Sequence, residues 1–146
     1  MSERYLSRIV VDLLLERKNS STEKKEILML LRQNTGHFDE MYDLPGGHLE
    51  EGEDIFDAII REAKEEIGIT IKREDLDMIH IYHRYNKGVL KFIFKTDKYE
   101  GLLSNAEPDK SAEIKWIELD NLPENIVPSI KMELEKIKDK IFYNKD

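Results

Sequence analysis

Cysteine is absent from this chain of 146 residues. That excludes disulfides, thiolate metal ligands and a cysteine nucleophile, and it fits a reducing compartment, so a cytoplasmic location is expected. Four prolines and seven glycines are too few for a disordered chain. Positive charge is also in deficit, with a formal net charge of −8. Such a surface repels phosphate backbones, and no extended nucleic-acid track is expected. A phosphorylated small molecule bridged by divalent cations stays compatible with it. Long hydrophobic runs are missing as well. The run IVVDLLL is interrupted by Asp12 and is too short to span a bilayer, and no cleavage-site pattern accompanies it, so neither membrane span nor signal peptide is expected. Internal repeats and interdomain linkers are missing too, and the length suits one domain, residues 1–146.

What is present is an alternation of short apolar runs and two helical stripes. Ser7 to Leu15 and Glu26 to Leu31 read as strands, joined by the exposed hairpin loop RKNSSTEKK. A long connection, QNTGHFDEMYD, leads to LPGG, where Pro45 and two glycines punctuate the chain. Asp54 as N-cap and Gly68 as the residue past the end bound a helix at Ile55 to Ile67. Strands are expected at Asp77 to Tyr85, Val89 to Thr96 and Glu113 to Leu119. Val127, Ile130, Leu134, Ile137 and Ile141 recur at steps of three and four, the core stripe of a second helix.

At 100° per residue the first helix separates two faces. Phe56, Ile59, Ile60, Ala63 and Ile67 form the apolar one; Glu62, Glu65 and Glu66 form the other, beside the core. Like charges at such spacing repel by some tenths of a kcal/mol per pair, about the size of one exposed ion pair. Arg61, one turn from Asp57 and Glu65, offsets part of this, but one arginine does not neutralise three glutamates. Carboxylates on adjacent turns can instead converge on a hard cation such as Mg²⁺, together with waters and substrate phosphates. Gly46 and Gly47 let the backbone approach a ligand, and a carbonyl there can join the shell.

The stretch Gly47 to Ile69 resembles the box of the Nudix hydrolase family, MutT-like: a Gly, five residues, Glu, seven residues, then Arg-Glu-apolar-any-Glu-Glu-any-Gly-apolar. This chain supplies Gly47, Glu53, Arg61, Glu62, Ala63, Glu65, Glu66, Gly68 and Ile69. LPGG before the box and EPDKSAEIKWIELDNLP after it are similar to Nudix sequence too. The resemblance implies an α/β fold, an α/β/α sandwich around a mixed β-sheet. It implies a Mg²⁺-dependent pyrophosphohydrolase, with Mn²⁺ as substitute, that cleaves a nucleoside diphosphate linked to another group into a nucleotide and a phosphorylated product. Glu62, Glu65 and Glu66 match the metal-binding acids, the Gly46 carbonyl matches a backbone ligand, and Arg61 and Glu53 match the residues that brace them. Relatives differ in which acid accepts the water's proton: the one matching Glu62, or a glutamate outside the box, a place that Glu107 fills.

Other residues extend the expected substrate surface. Arg32 ends a strand and in similar proteins lies near phosphates; His48 and Gly47 sit in the box loop; Phe38, Tyr82 and Tyr85 are candidates for stacking on a base, whereas Trp116 reads as core. His80 and His83 fall on opposite faces of one strand, so one of them is structural. In relatives that hydrolyse oxidised guanine nucleotides an Asn after a segment similar to LPENIVP reads the purine. Here Ile126 falls nearest that place and Asn125 is the candidate reader. A nucleoside triphosphate or derivative is the leading substrate, with dinucleoside polyphosphates, ADP-ribose and RNA 5′ ends as alternatives. The absence of proline between Ile69 and Glu107 weighs against ADP-ribose. A nucleotide-binding sensor that has lost catalysis is the non-enzymatic alternative. The chain is expected as monomer or homodimer.

Overall fold

The computed structural model describes residues 2–146. Its spine is β1 (Arg8–Lys18). Val11, Leu13 and Leu15 are wholly buried on one face of this strand and Leu14 on the other, the continuous apolar run of a strand covered on both sides. Around it lie β2 (Lys25–Arg32), β3 (Tyr42–Asp43), β4 (Gly46–His48), β5 (Asp77–Arg84), β6 (Val89–Thr96), β7 (Ser111–Glu118) and β8 (Tyr143–Lys145). The sheet runs β3-β2-β1-β6-β5-β8, with β4 on β1 and β7 on β2. β1 pairs parallel with β6, and β5 with β8; the remaining pairs are antiparallel. The sheet is therefore mixed, with a helix on each face.

On one face, α1 (Ile55–Ile67) presses Ala58, Ile59, Ala63 and Ile67 against Val11, Leu13, Leu28, Leu30 and Phe94. On the other, α2 (Pro128–Lys138) presses Ile130 and Leu134 against Leu14, Ile27, Met29 and Ile93. No helix among the described residues is long and apolar enough to cross a membrane.

Three features depart from the sequence reading. The hairpin is tighter, because β1 and β2 stay paired out to Lys18 and Lys25; Arg17 bonds Glu26 at 2.7 Å and lies 4.3 Å from the centre of the Trp116 ring, and three charged residues read as loop, Arg17, Lys18 and Lys25, belong to the strands. α2 stops at Lys138, short of Ile141, because Lys140 takes a left-handed backbone with φ of 57°. Finally β3, β4 and β8 have two or three residues each, too short to carry any periodicity.

Candidate active site

The site grows from the two ends of α1. At its start the Asp54 carboxylate accepts a hydrogen bond from the Asp57 N–H while the Asp57 carboxylate accepts one from the Asp54 N–H, a reciprocal cap. At its end Gly68, with φ of 73°, turns the chain left-handed, and the loop beyond docks back: Ser104 N–H on the Ile67 carbonyl at 3.0 Å and Ala106 N–H on the Glu66 carbonyl at 3.0 Å. This docking fixes the segment that carries Glu107.

Arg61 organises the acids. Its Nε and Nη2 grip the two Glu53 carboxylate oxygens at 3.0 and 2.7 Å, Nη1 donates to Glu62 at 2.9 Å and to Glu65 at 3.3 Å, and Nη2 also reaches the His48 carbonyl at 3.0 Å. The hydrogen bond from Arg61 holds the Glu53 carboxyl below its ordinary range, and the same pairing with Glu53, ahead of Glu62, raises the guanidinium further. A planar fork fixed on both sides cannot move without moving the helix and the box loop together.

Glu62 and Glu66, one turn apart, meet below this fork. Gly47 makes room for them: a Cβ there would lie 2.3 Å from Glu62 Oε1. Burial pushes the Glu66 carboxyl far above its ordinary range, and a hydrogen bond with Glu62, the Glu62 charge and, more distantly, the Glu107 charge push the same way, against an opposing bond from the Gly46 N–H at 3.2 Å. Two carboxylates pressed together in a half-buried site share a proton or a cation. Glu65 does not join them; it is half exposed and turned to Arg61. Among the described residues no three acidic or imidazole side chains form a closed cage for a metal. The donors that do face the cleft are all oxygens, Glu62 and Glu66 with Glu107 across from them, and an all-oxygen set with room for water and phosphate suits a hard divalent cation.

The acids open into a cleft of about 690 Å³ lined by β1, β4, the box loop, α1, the loop from Thr35 to Leu44, the Glu107–Ser111 turn and the start of α2. That volume suits a small organic ligand. A larger groove of about 1130 Å³ lies elsewhere, among Leu14, Ile79, Leu122, Ile137 and Phe142. None of Glu53, Glu62, Glu65, Glu66 and Glu107 lines it, so the smaller cleft is the candidate site.

Of the other expected residues, Arg32, Phe38, Gly47 and His48 line the cleft. Arg32 is already engaged, with Asp43 at 3.0 Å, Thr35 Oγ1 at 3.1 Å and the His37 carbonyl at 2.7 Å, so its fork holds the loop. Phe38 stands half exposed on that loop in a left-handed backbone, φ 51°. Tyr82 and Asn125 do not line the cleft, and the expectation that they face substrate is corrected. Tyr82 is buried with Arg84 5.8 Å from its ring centre, and Asn125 spends its side-chain amide on the Glu40 carbonyl at 3.0 Å. Ile126 is buried in the core. Tyr85 stacks on Tyr5, with ring centres 5.1 Å apart. His80 is the structural histidine, wholly buried between the Ile141 carbonyl at 2.8 Å and Asn144 Oδ1 at 2.7 Å.

The cleft also holds residues that the sequence reading did not single out, among them Arg8, Asp12, Arg84, Lys91 and Lys110. Lys91 bonds Asp12 and Glu133 at 3.2 Å each. Burial raises the Asp12 carboxyl to about 6 and that of Glu133 to about 7, each restrained by the Lys91 charge. The available signal was a charged residue inside an otherwise apolar strand, Asp12 in IVVDLLL and Lys91 in VLKFIF.

Comparison with known proteins agrees with this architecture. The model of the NUDIX domain matches residues 7–137. An ADP-ribose pyrophosphatase of Methanocaldococcus jannaschii is 31% identical over 105 residues, 69% of this chain and 60% of that protein, so the match spans less than two thirds of the relative. A MutT NUDIX hydrolase from Burkholderia pseudomallei superposes with a TM-score of 0.74 at 22% identity, covering 88% of this chain and 96% of the other. The NUDIX domain of Shewanella oneidensis NrtR, solved in complex with ADP ribose, gives 0.71 at 16% identity, covering 96% and 90%. At those identities the two structures speak for the fold. With the family model spanning nearly all of the chain, the box intact and the sheet sandwiched between α1 and α2, the chain belongs to the NUDIX domain family.

Proposed function

We propose that this chain is a Mg²⁺-dependent pyrophosphohydrolase that cleaves a nucleoside diphosphate linked to another group, with nucleoside triphosphates and their derivatives as the leading class. The observation that carries this reading is the Glu62–Glu66 pair, two acids forced together beside Gly46 and Gly47 at the floor of a nucleotide-sized cleft. Left without a cation, that pair is a defect; with one it is a binding site. Members of the family generally use divalent metals.

In this reading Glu62 and Glu66 hold the metal, with the Gly46 carbonyl, Glu65 from the rim and Glu107 from the opposite loop. Bound there, divalent cations neutralise a pyrophosphate, orient a water and stabilise the charge that develops on the leaving oxygen. Mn²⁺, with a similar ligand preference, substitutes for Mg²⁺. Glu53 and Arg61 keep Glu62 in place. Glu62 and Glu107 are the two candidates for accepting the water's proton, and Phe38 offers an aromatic face to a base.

ADP-ribose is the second reading, favoured by the relative that bears that activity in its name. The missing proline weighs against it, but a single loop residue is weaker support than 31% identity over 105 residues. The test is a panel of nucleoside triphosphates, dinucleoside polyphosphates and ADP-ribose incubated with Mg²⁺, with products resolved to show which bond breaks. Hydrolysis of an anhydride that stops on chelation is the expected result. Nucleotide binding with no turnover at any metal concentration replaces the enzyme with the sensor.

A further inference from the structure

Four of the seven arginines of this protein, Arg17, Arg32, Arg61 and Arg73, are neutralised by a carboxylate. Arg8 and Arg84, which both line the cleft, hold none among the described residues, in a chain with 31 acidic side chains to choose from. The Nε of Arg84 is buried without a hydrogen-bond partner, the guanidinium having only the Tyr82 ring, 5.8 Å away, to face it.

The register shows that the two belong together. Arg8 on β1 and Arg84 on β5 both pair with Val89 on β6, the strand between them. Paired positions share a face of the sheet, and neighbouring strands lie about 4.8 Å apart, so the two arginines rise from the same face about 10 Å apart at the backbone with only a valine between them. Two long cations can therefore fold over one point above Val89. Without an anion they repel each other, as the glutamates do at the opposite end of the cleft.

The distance between the two ends says what kind of anion this is. Gly46 pairs with Asp12, which is four residues along β1 from Arg8, about 13 Å at the rise of a strand. A diphosphate held by Glu62 and Glu66 does not extend so far. We propose that Arg8 and Arg84 form a clamp for a second phosphate of the substrate, remote from the anhydride that is cut, and that this clamp selects nucleotide derivatives that carry such a remote phosphate. Arg84 supplies the planar fork suited to a phosphate and Arg8 closes over it from the exposed side. The inference rests on the proposed function in that it takes the acids as the site of cleavage.

The test is calorimetric binding in Ca²⁺, a hard cation taken by the same oxygen ligands, of two ligand pairs. One is ADP-ribose with and without a 2′-phosphate; the other is adenosine triphosphate against diadenosine pentaphosphate. The first pair reports a phosphate on the sugar, the second a phosphate further along a chain. The expected result is that at least one ligand with the remote phosphate binds tenfold or more tightly than its partner. That preference falls to near unity in Arg84→Gln and in Arg8→Gln, is partly kept in Arg84→Lys, and the ligands without the remote phosphate bind all variants alike. A preference that is missing in the wild type, or that survives both glutamine variants, overturns the clamp while nucleotide binding itself stands. No binding of any nucleotide overturns the clamp and the proposed function together.

Discussion

Glu66 is the side chain on which stability and the proposed metal binding pull against each other. Its ordinary value is 4.5 and burial beside Glu62 raises it, so at neutral pH the metal-free fold carries a proton that the unfolded chain has lost. The stability of the metal-free protein is therefore greatest below about pH 4.5 as far as this group is concerned. It declines as pH rises through the window between that value and the raised one, by up to about 1.4 kcal/mol per pH unit. A thermal melt in chelator at pH 5.5 and at pH 8.5 is expected to show the decline, and Mg²⁺ to reduce it. Glu66→Gln is expected to flatten the slope, raise the melting temperature in chelator at pH 8.5, and remove nearly all Mg²⁺-dependent hydrolysis. Normal turnover in that variant would sink the metal assignment.

α1 was the most legible element, because its signals are local. Asp54 and Gly68 cap it where the sequence places them, and its apolar stripe packs as a stripe. Gly68→Ala tests the end of the helix. At φ of 73° a side chain is strained, and its Cβ would lie 2.9 Å from Ser104 Oγ in the loop that leads to Glu107. A loss of about 1–2 kcal/mol is expected in denaturant melts, with hydrolysis reduced beyond what the lost stability explains, since that loop positions Glu107. What could not be read was whatever depends on partners distant in sequence or on a choice among rotamers. Helical spacing puts Glu62, Glu65 and Glu66 on one side, but Arg61 draws Glu65 outward and leaves the other two together. The faces of β5 were readable, yet whether Tyr82 would meet a ligand depended on Arg84 lying across it. Asn125 was diverted by a carbonyl 85 residues away.

The three layers are tied through the cleft floor by Lys91, which reaches Asp12 in the same sheet and Glu133 on α2. Burial alone would lower its amine, but the charges of Asp12 and Glu133 outweigh that and keep it protonated. One Glu133 oxygen is buried without a partner, so the network has no donor in reserve. Lys91→Met is expected to cost about 3–5 kcal/mol at pH 8, where both carboxyls are ionised, and less at pH 5, where protonation of Asp12 and Glu133 relieves the unpaired charge; chemical denaturation at the two pH values separates these. The parallel pairing of β1 with β6 carries one more consequence. Arg8 meets Val89 and Leu15 meets Thr96, so the centre of the sheet closes only after the whole intervening chain, α1 included, has been gathered into a single large loop. The entropy of that closure is expected to slow assembly relative to a fold of local contacts, and stopped-flow refolding measures it.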